Sequence, residues 1–289
     1  QLGDADWVHL YCSERAGTAI LEPPVELGRG QFGIVYKLKT LAGDRCVKPV
    51  KGQSANAMWQ ATFNEDAPAQ SHSFTAISKF IVNAAGGPLP MEFGEVAYPS
   101  GDMFYAVRRT DTPELYFDPE IQVAVHFQAM QVIVESPVVE VAVFALSQPD
   151  TIVVDVACMD IELNKALERW SELGMAEYMN PLVVKKMTTL FDTARYQYNA
   201  VMTDFKMENI MLKINPYNNL PDVDTMKLID LGSFTVRNDT TQEFIPALDL
   251  STRTFAIPDM CDQNNPELFK DAGVLEVEFA FAHLFDPSQ

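Results

Sequence analysis

Basic residues are scarce in this chain. Twenty-one lysines and arginines stand against 40 acids among 289 residues, a formal charge of −19 at pH 7. Nucleic-acid recognition rests on clustered cations that release phosphate counterions, so this balance argues against a nucleic-acid partner. Long apolar runs are missing too. The longest charge-free stretch of membrane character, Ile121 to Val134, falls short of the roughly 18 to 20 residues of a spanning helix. No secretory apolar region stands at the N-terminus, and no membrane partner is expected. Cysteine is sparse: Cys12, Cys46, Cys158 and Cys261 lie far apart with no C-x-x-C pair. Neither a disulfide framework nor a zinc knuckle is expected, and the spacing suits a reducing, intracellular compartment, cytoplasmic or nuclear. The chain opens on Gln1 rather than Met, as a processed piece does.

Apolar residues, by contrast, make up 47%, enough for a packed core. The length suits one large domain or two lobes. The few bases are unevenly placed. Arg29, Lys37, Lys39, Arg45, Lys48 and Lys51 face a single acid, Asp44, between Gly28 and Lys51. A positive segment inside so acidic a protein suits an anionic ligand, or else a solvated hairpin.

Alternation and turn residues predict strands over Val25 to Gly28, Ile34 to Leu38 and Arg45 to Val50, with a turn at Ala42-Gly43-Asp44. Residues 52–75 are polar and read as a helix or an insertion, and Gly86-Gly87-Pro88 breaks the chain. A hairpin is expected from Phe93 to Tyr98 and Phe104 to Arg108, a helix from Pro119 to Val134, and a third hairpin from Val138 to Leu146 and Thr151 to Val156. After Met159 the period becomes helical: Leu163, Ala166, Leu167 and Trp170 share one face, as do Val183, Met187, Leu190, Phe191, Ala194 and Tyr198.

Three motifs carry chemistry. Gly28-Arg29-Gly30-Gln31-Phe32-Gly33 spaces three glycines so that backbone N–H groups approach phosphate oxygens with no side chain in the way. A Rossmann unit opens a helix after such glycines. Here Ile34-Val35 continues as a strand, and Lys48 follows fifteen residues after Gly33. Next, Thr203-Asp204-Phe205-Lys206-Met207-Glu208-Asn209 follows the long helix. Asp204 there suits orientation or deprotonation of a hydroxyl, Lys206 neutralisation of a phosphoryl group, and Asn209 a metal; an ordinary polar loop would read the same. Third, Lys227-Leu228-Ile229-Asp230-Leu231-Gly232 ends an apolar strand in Asp-x-Gly, which suits a Mg²⁺ carboxylate ligand or a common turn.

In this order the three motifs resemble the eukaryotic-type protein kinase family. The resemblance implies an α+β, two-lobed kinase-like fold, with a strand-rich N-lobe over 1–158, an insertion at about 52–117, and a helical C-lobe over 159–289. It implies an ATP- and Mg²⁺-dependent serine/threonine protein kinase, since Lys206 two residues after Asp204 is the serine/threonine pattern. Asp204, Lys206 and Lys48 would be catalytic. Gly28, Gly30, Gly33, Val35 and Lys48 would hold the nucleotide, together with Val154 at the adenine pocket and the backbone of Val156 to Cys158. Asn209 and Asp230 would hold the metal. Ser251 to Asp259, with Ile257-Pro258-Asp259 for Ala-Pro-Glu, resembles the end of an activation segment. Thr252 and Asp271 fall at family positions within and after it.

The chain also departs from the family. Met202 and Thr203 replace the His-Arg before the catalytic Asp, which removes the arginine that reads a phosphorylated loop. Lys48 and Asp204 lie 156 residues apart, longer than the family spacing. A second strand pair, Phe93-Gly94-Glu95-Val96 and Tyr105-Ala106-Val107-Arg108, sits at the usual distance and would put Arg108 in the lysine's place. Lys48 is preferred because its glycine loop is complete. Glu120 is the first choice for its carboxylate partner and Glu65 the second. The chain stops thirty residues after Asp259, leaving the C-lobe incomplete after a helix near 271–285 and open to completion by another chain. The expected partner is a protein substrate. The alternative is a kinase-like pseudoenzyme acting as a binding or structural module.

Overall fold

Alternating apolar residues between Val25 and Lys51 build three consecutive antiparallel strands, β1 (Val25–Gly30), β2 (Gly33–Thr40) and β3 (Gly43–Lys51). Gly43, at φ +113°, supplies a turn conformation that a side chain would oppose. The computed structural model describes residues 6–15, 20–30, 33–41, 43–63, 71–78, 90–131, 135–202 and 205–236. The architecture is α+β, rich in sheet towards the N-terminus and more helical after it. The chain divides into two compact units, Gln1–Val132 with Glu140–Cys158, and Ile133–Val139 with Met159–Gln289.

In the first unit β1, β2 and β3 join β8 (Val141–Ala145) and β9 (Thr151–Ala157) in an antiparallel sheet of order β1-β2-β3-β9-β8. β3 and β9 pair from Arg45↔Ala157 to Lys51↔Thr151. Because side chains alternate, this register sets the two faces. Tyr36, Leu38, Val47 and Val153 lie on one face, where helix α1 (Asp6–Glu14) packs Trp7, Val8 and Tyr11 against them. Asp155, opposite Val47, points the same way with no exposed surface. Its carboxylate accepts hydrogen bonds from the Tyr11 hydroxyl, from Arg15 and, at 2.6 Å, from Arg45 Nε. Arg15 also lies 4.5 Å from the Phe144 ring centroid.

Helix α3 (Glu120–Met130) is buried on nearly every side from Glu120 to Phe127, with Glu120, Gln122 and His126 buried among its apolar residues. Asp118 Oδ1 accepts the Glu120 N–H at its start, 2.8 Å away. Farther on, Gln128 and Gln131 bond the outward backbone of β8 at Val143 and Val141. These bonds cover a sheet edge that would otherwise be open.

Between β3 and α3 the chain forms helix α2 (Ala55–Phe63) and a separate sheet, β4 (Ser73–Ser78), β5 (Met91–Ala97), β6 (Met103–Arg109) and β7 (Tyr116–Phe117). Trp59 of α2 packs with Val96, Tyr98, Phe104, Ala106 and Tyr116. Gly94 is required by close approach: a β-carbon there would stand 2.4 Å from the Thr75 carbonyl oxygen.

In the second unit, helices α4 (Leu163–Glu172) and α5 (Ala176–Asp192) bury the faces their periodicity predicts: Leu163, Ala166 and Trp170 on one, Val183, Met187 and Leu190 on the other. A π-turn over Thr193–Gln197 follows. Two small sheets complete the described part. One is β10 (Ile161–Glu162), β12 (Ile210–Ile214) and β13 (Pro221–Leu228); the other is β11 (Ala200–Met202) and β14 (Phe234–Val236). Residues 135–139 are joined to β13: Leu228 N–H donates to Pro137 O, and Lys227 Nζ reaches Ser136 O at 2.5 Å. Burial lowers the Lys227 ammonium below the usual lysine range, with Glu135 opposing the shift.

One expectation is overturned. Cys46 and Cys158 form a disulfide, with Cα atoms 5.3 Å apart across 112 residues of sequence. The β3–β9 pairing brings them together, which linear spacing cannot reveal. Cys12 is a free, half-buried thiol, and Cys261 lies outside the described residues. Since structural disulfides persist in oxidising surroundings, cysteine spacing no longer argues for a reducing compartment. No helix among the described residues is long and apolar enough to cross a membrane.

Removing one member of a buried charge network leaves the rest uncompensated. Asp155→Ala is expected to cost about 3–5 kcal/mol in urea unfolding, the range for breaking a buried pair. The first unit also responds to alkali, through Tyr11 of this network and Tyr98 beside the second sheet. Burial, then the charge of Asp155, pushes the Tyr11 hydroxyl well above its ordinary value, and burial pushes Tyr98 up to about 12. A folded-state value above the unfolded one, about 10 for tyrosine, favours the neutral hydroxyl. Its stabilisation is therefore whole below about pH 10 and lost as pH rises above that. Urea midpoints at pH 8 and pH 11 should show this fall, and Tyr11→Phe should reduce it.

Candidate functional site

The face of the first sheet opposite α1 gathers most of the residues assigned to a nucleotide. Lys48 stands opposite Val154, Cys46 opposite Val156, and Val35 opposite Gly28. By strand alternation these six side-chain positions share that face. Gly30 and Gly33 close the β1–β2 hairpin as a facing pair. At Leu27 the register slips, and this residue is exposed; bulges of this kind re-aim a strand near a site. A β-carbon on Gly28 would meet no atom within 4 Å. Its φ is not positive, so neither internal packing nor turn geometry requires glycine at that position.

Lys48 Nζ lies 2.5 Å from Glu120 Oε2, with side chains 16% and 7% exposed. Glu120 begins α3, in the first turn, where the helix dipole favours an anion. The bonds from Asp118, Gln128 and Gln131 hold that helix in place. Glu65, the other candidate partner, lies outside the described residues. Arg108 has a different setting. It pairs across the second sheet with Glu92, 2.7 Å away, and its guanidinium lies 4.1 Å from the Phe74 ring centroid.

The stretch expected to meet the base is engaged within the protein. Val156 lies between Cys46 and Val141 in the sheet. Ala157 N–H donates to Glu140 O at 2.9 Å, Cys158 N–H donates to Asp44 O at 3.5 Å, and the Cys158 side chain forms the disulfide.

In the second unit, Lys206 is extended and precedes a short 3₁₀ turn, Met207–Asn209. Asn209 is buried; its N–H donates to Lys206 O, its carbonyl accepts from Ile229 N–H, and its Nδ2 lies 3.4 Å from Asp230 Oδ2. The two expected metal ligands thus meet. Asp230 adopts φ 63°, ψ 73°, a left-handed conformation costly for a residue with a side chain and concentrated at functional sites. Ser233 N–H and Oγ, 3.0 and 2.7 Å away, donate to the Asp230 carbonyl and hold the turn. Among the described residues no three of His, Cys, Asp and Glu gather as a ready-made metal cage. One carboxylate with one amide suits Mg²⁺, which takes few protein ligands and keeps its waters and substrate phosphates. Asp204, Glu65, Thr252, Ile257 to Asp259 and Asp271 lie outside the described residues.

Sequence reasoning missed the disulfide and the Asp155 network. The second had a signal: an acid inside the apolar run Ile152 to Val156 must find cationic partners when buried.

Glu120→Gln would remove the carboxylate charge that faces the nearly buried Lys48 ammonium at 2.5 Å. It should cost about 2–4 kcal/mol in urea unfolding, while Lys48→Met with Glu120→Leu should recover most of that loss, since apolar replacement of a buried pair is often neutral. Comparison with family models and with curated proteins returned no match for this chain.

Proposed function

We propose that the chain is a kinase-like, ATP- and Mg²⁺-dependent phosphotransferase acting on serine or threonine hydroxyls of a protein. The observation that carries the reading is the Lys48–Glu120 ion pair, on the sheet face shared by Gly28, Val35, Val154 and Val156. Protein kinases depend on such a pair between a strand lysine and a helix glutamate. The strand order β1-β2-β3-β9-β8, the open space over Gly28 and the meeting of Asn209 with Asp230 add support. Arg108 has its own carboxylate on another sheet, which favours Lys48 as the phosphate contact.

In this reading the β1–β2 hairpin covers the phosphates and Lys48 holds them. Asp204 orients the acceptor hydroxyl and takes its proton, and Lys206 offsets charge on the phosphoryl group in flight. Asn209 and Asp230 would hold Mg²⁺, which when bound neutralises phosphate charge. An intracellular location goes with use of ATP. A kinase-like binding module is the second reading, favoured by the engaged N–H groups of Ala157 and Cys158.

In buffer containing a dithiol, saturating Mg·ATP is expected to raise the melting temperature by several degrees, as ligand linkage predicts. Asp204→Asn should keep that shift yet transfer phosphate to a mixed peptide substrate about 10²–10⁴-fold more slowly. No melting shift at millimolar ATP supports the binding module instead.

A further inference from the structure

Cys46 and Lys48 are two residues apart on β3, so their side chains leave the same face of the sheet, about 7 Å apart along the strand at 3.4 Å per residue. Cys158 closes onto Cys46 from the end of β9 and is 3% exposed. The disulfide therefore stands on the face that carries Lys48, Val35, Val154 and Val156. It joins β3 to the backbone assigned to the base, and Cys158 N–H is at the same time spent on Asp44 O. A base placed beside Val154 and Val156, with its phosphates on Lys48, would meet the disulfide on that same face.

We infer that the Cys46–Cys158 disulfide is a redox gate on nucleotide binding, closed when oxidised and open when reduced; this rests on the nucleotide reading above. The reductant is a dithiol. One of its thiolates attacks Sγ of Cys46, the half-buried partner, breaking the Sγ–Sγ bond and releasing the Cys158 thiolate, which takes a proton. The second thiol of the reductant then displaces Cys46 as a thiol and closes a cyclic disulfide. Two electrons pass from the dithiol to the protein, and two protein thiols result. Reduction frees the base face and unties the end of β9 from β3, releasing the Cys158 N–H from its geometric constraint.

The full chain is titrated with a fluorescent ATP analogue and Mg²⁺ in its oxidised and dithiol-reduced forms, with thiols counted by mass after alkylation and folding followed by circular dichroism. The reduced chain is expected to bind at least tenfold more tightly. Cys46→Ser should bind like the reduced chain with or without dithiol, while Cys12→Ser should keep the full response. Equal binding by the folded oxidised and reduced chains overturns the gate and leaves the nucleotide reading standing. Absence of binding in both forms and in Cys46→Ser overturns the nucleotide reading and the gate with it. Tighter binding by the oxidised chain reverses the sign and also overturns the gate.

Discussion

The antiparallel pairing of β3 with β9 is the constraint on which the first unit depends. It runs from Arg45↔Ala157 to Lys51↔Thr151, and a shift of one residue would exchange the two faces. With the observed register, Val47 and Asp155 meet α1, while Cys46 and Lys48 face the opposite side. Asp155 could not tolerate the exchange. A carboxylate with no exposed surface needs the Tyr11 hydroxyl and the cations of Arg15 and Arg45, and desolvation without them is costly. The buried charge therefore specifies the register as well as stabilising it.

Polar side chains also determine where the candidate-site residues sit. A largely apolar helix buried on nearly every side has little to prefer one rotation over another. The amide pairs from Gln128 and Gln131 to β8, with the Asp118 bond at the helix start, remove that freedom for α3. Glu120 then meets Lys48. The second unit works similarly at Asp230, where hydrogen bonds from Ser233 and the contact with Asn209 offset an unfavourable backbone conformation.

Lys48 and Arg108 show how like motifs diverge in context. Both are cations on the strand after a glycine-bearing strand. Arg108 stacks on Phe74 and pairs with its cross-strand neighbour Glu92, which uses its charge within the sheet. Lys48 pairs instead with a carboxylate delivered by a helix. The first arrangement stabilises a sheet surface; the second presents an ammonium on the face that carries Gly28 and Val35.

Local signals were sufficient for the longer elements with a clear period, though not for α1, β4 or β7. Alternation and turn residues marked β1, β2, β3, β5, β6, β8 and β9, and the helical period marked α4 and α5 together with their buried faces, because neighbours two or four residues apart carry that information. The short strands β10, β11 and β14, which take their partners from distant sequence, were invisible, and of the β12–β13 pair only the apolar run before Asp230 was marked. For the candidate site, the residue types were legible: glycines, Lys48, Asn209 and Asp230. Their associations were not. Glu120 over Glu65, the bonding of Cys46 to Cys158 and the clustering of Arg15 and Arg45 about Asp155 all join residues 70 or more positions apart. Composition and period describe a chain's neighbours along its length, whereas the pairing of strands and the burial of charge select neighbours across space.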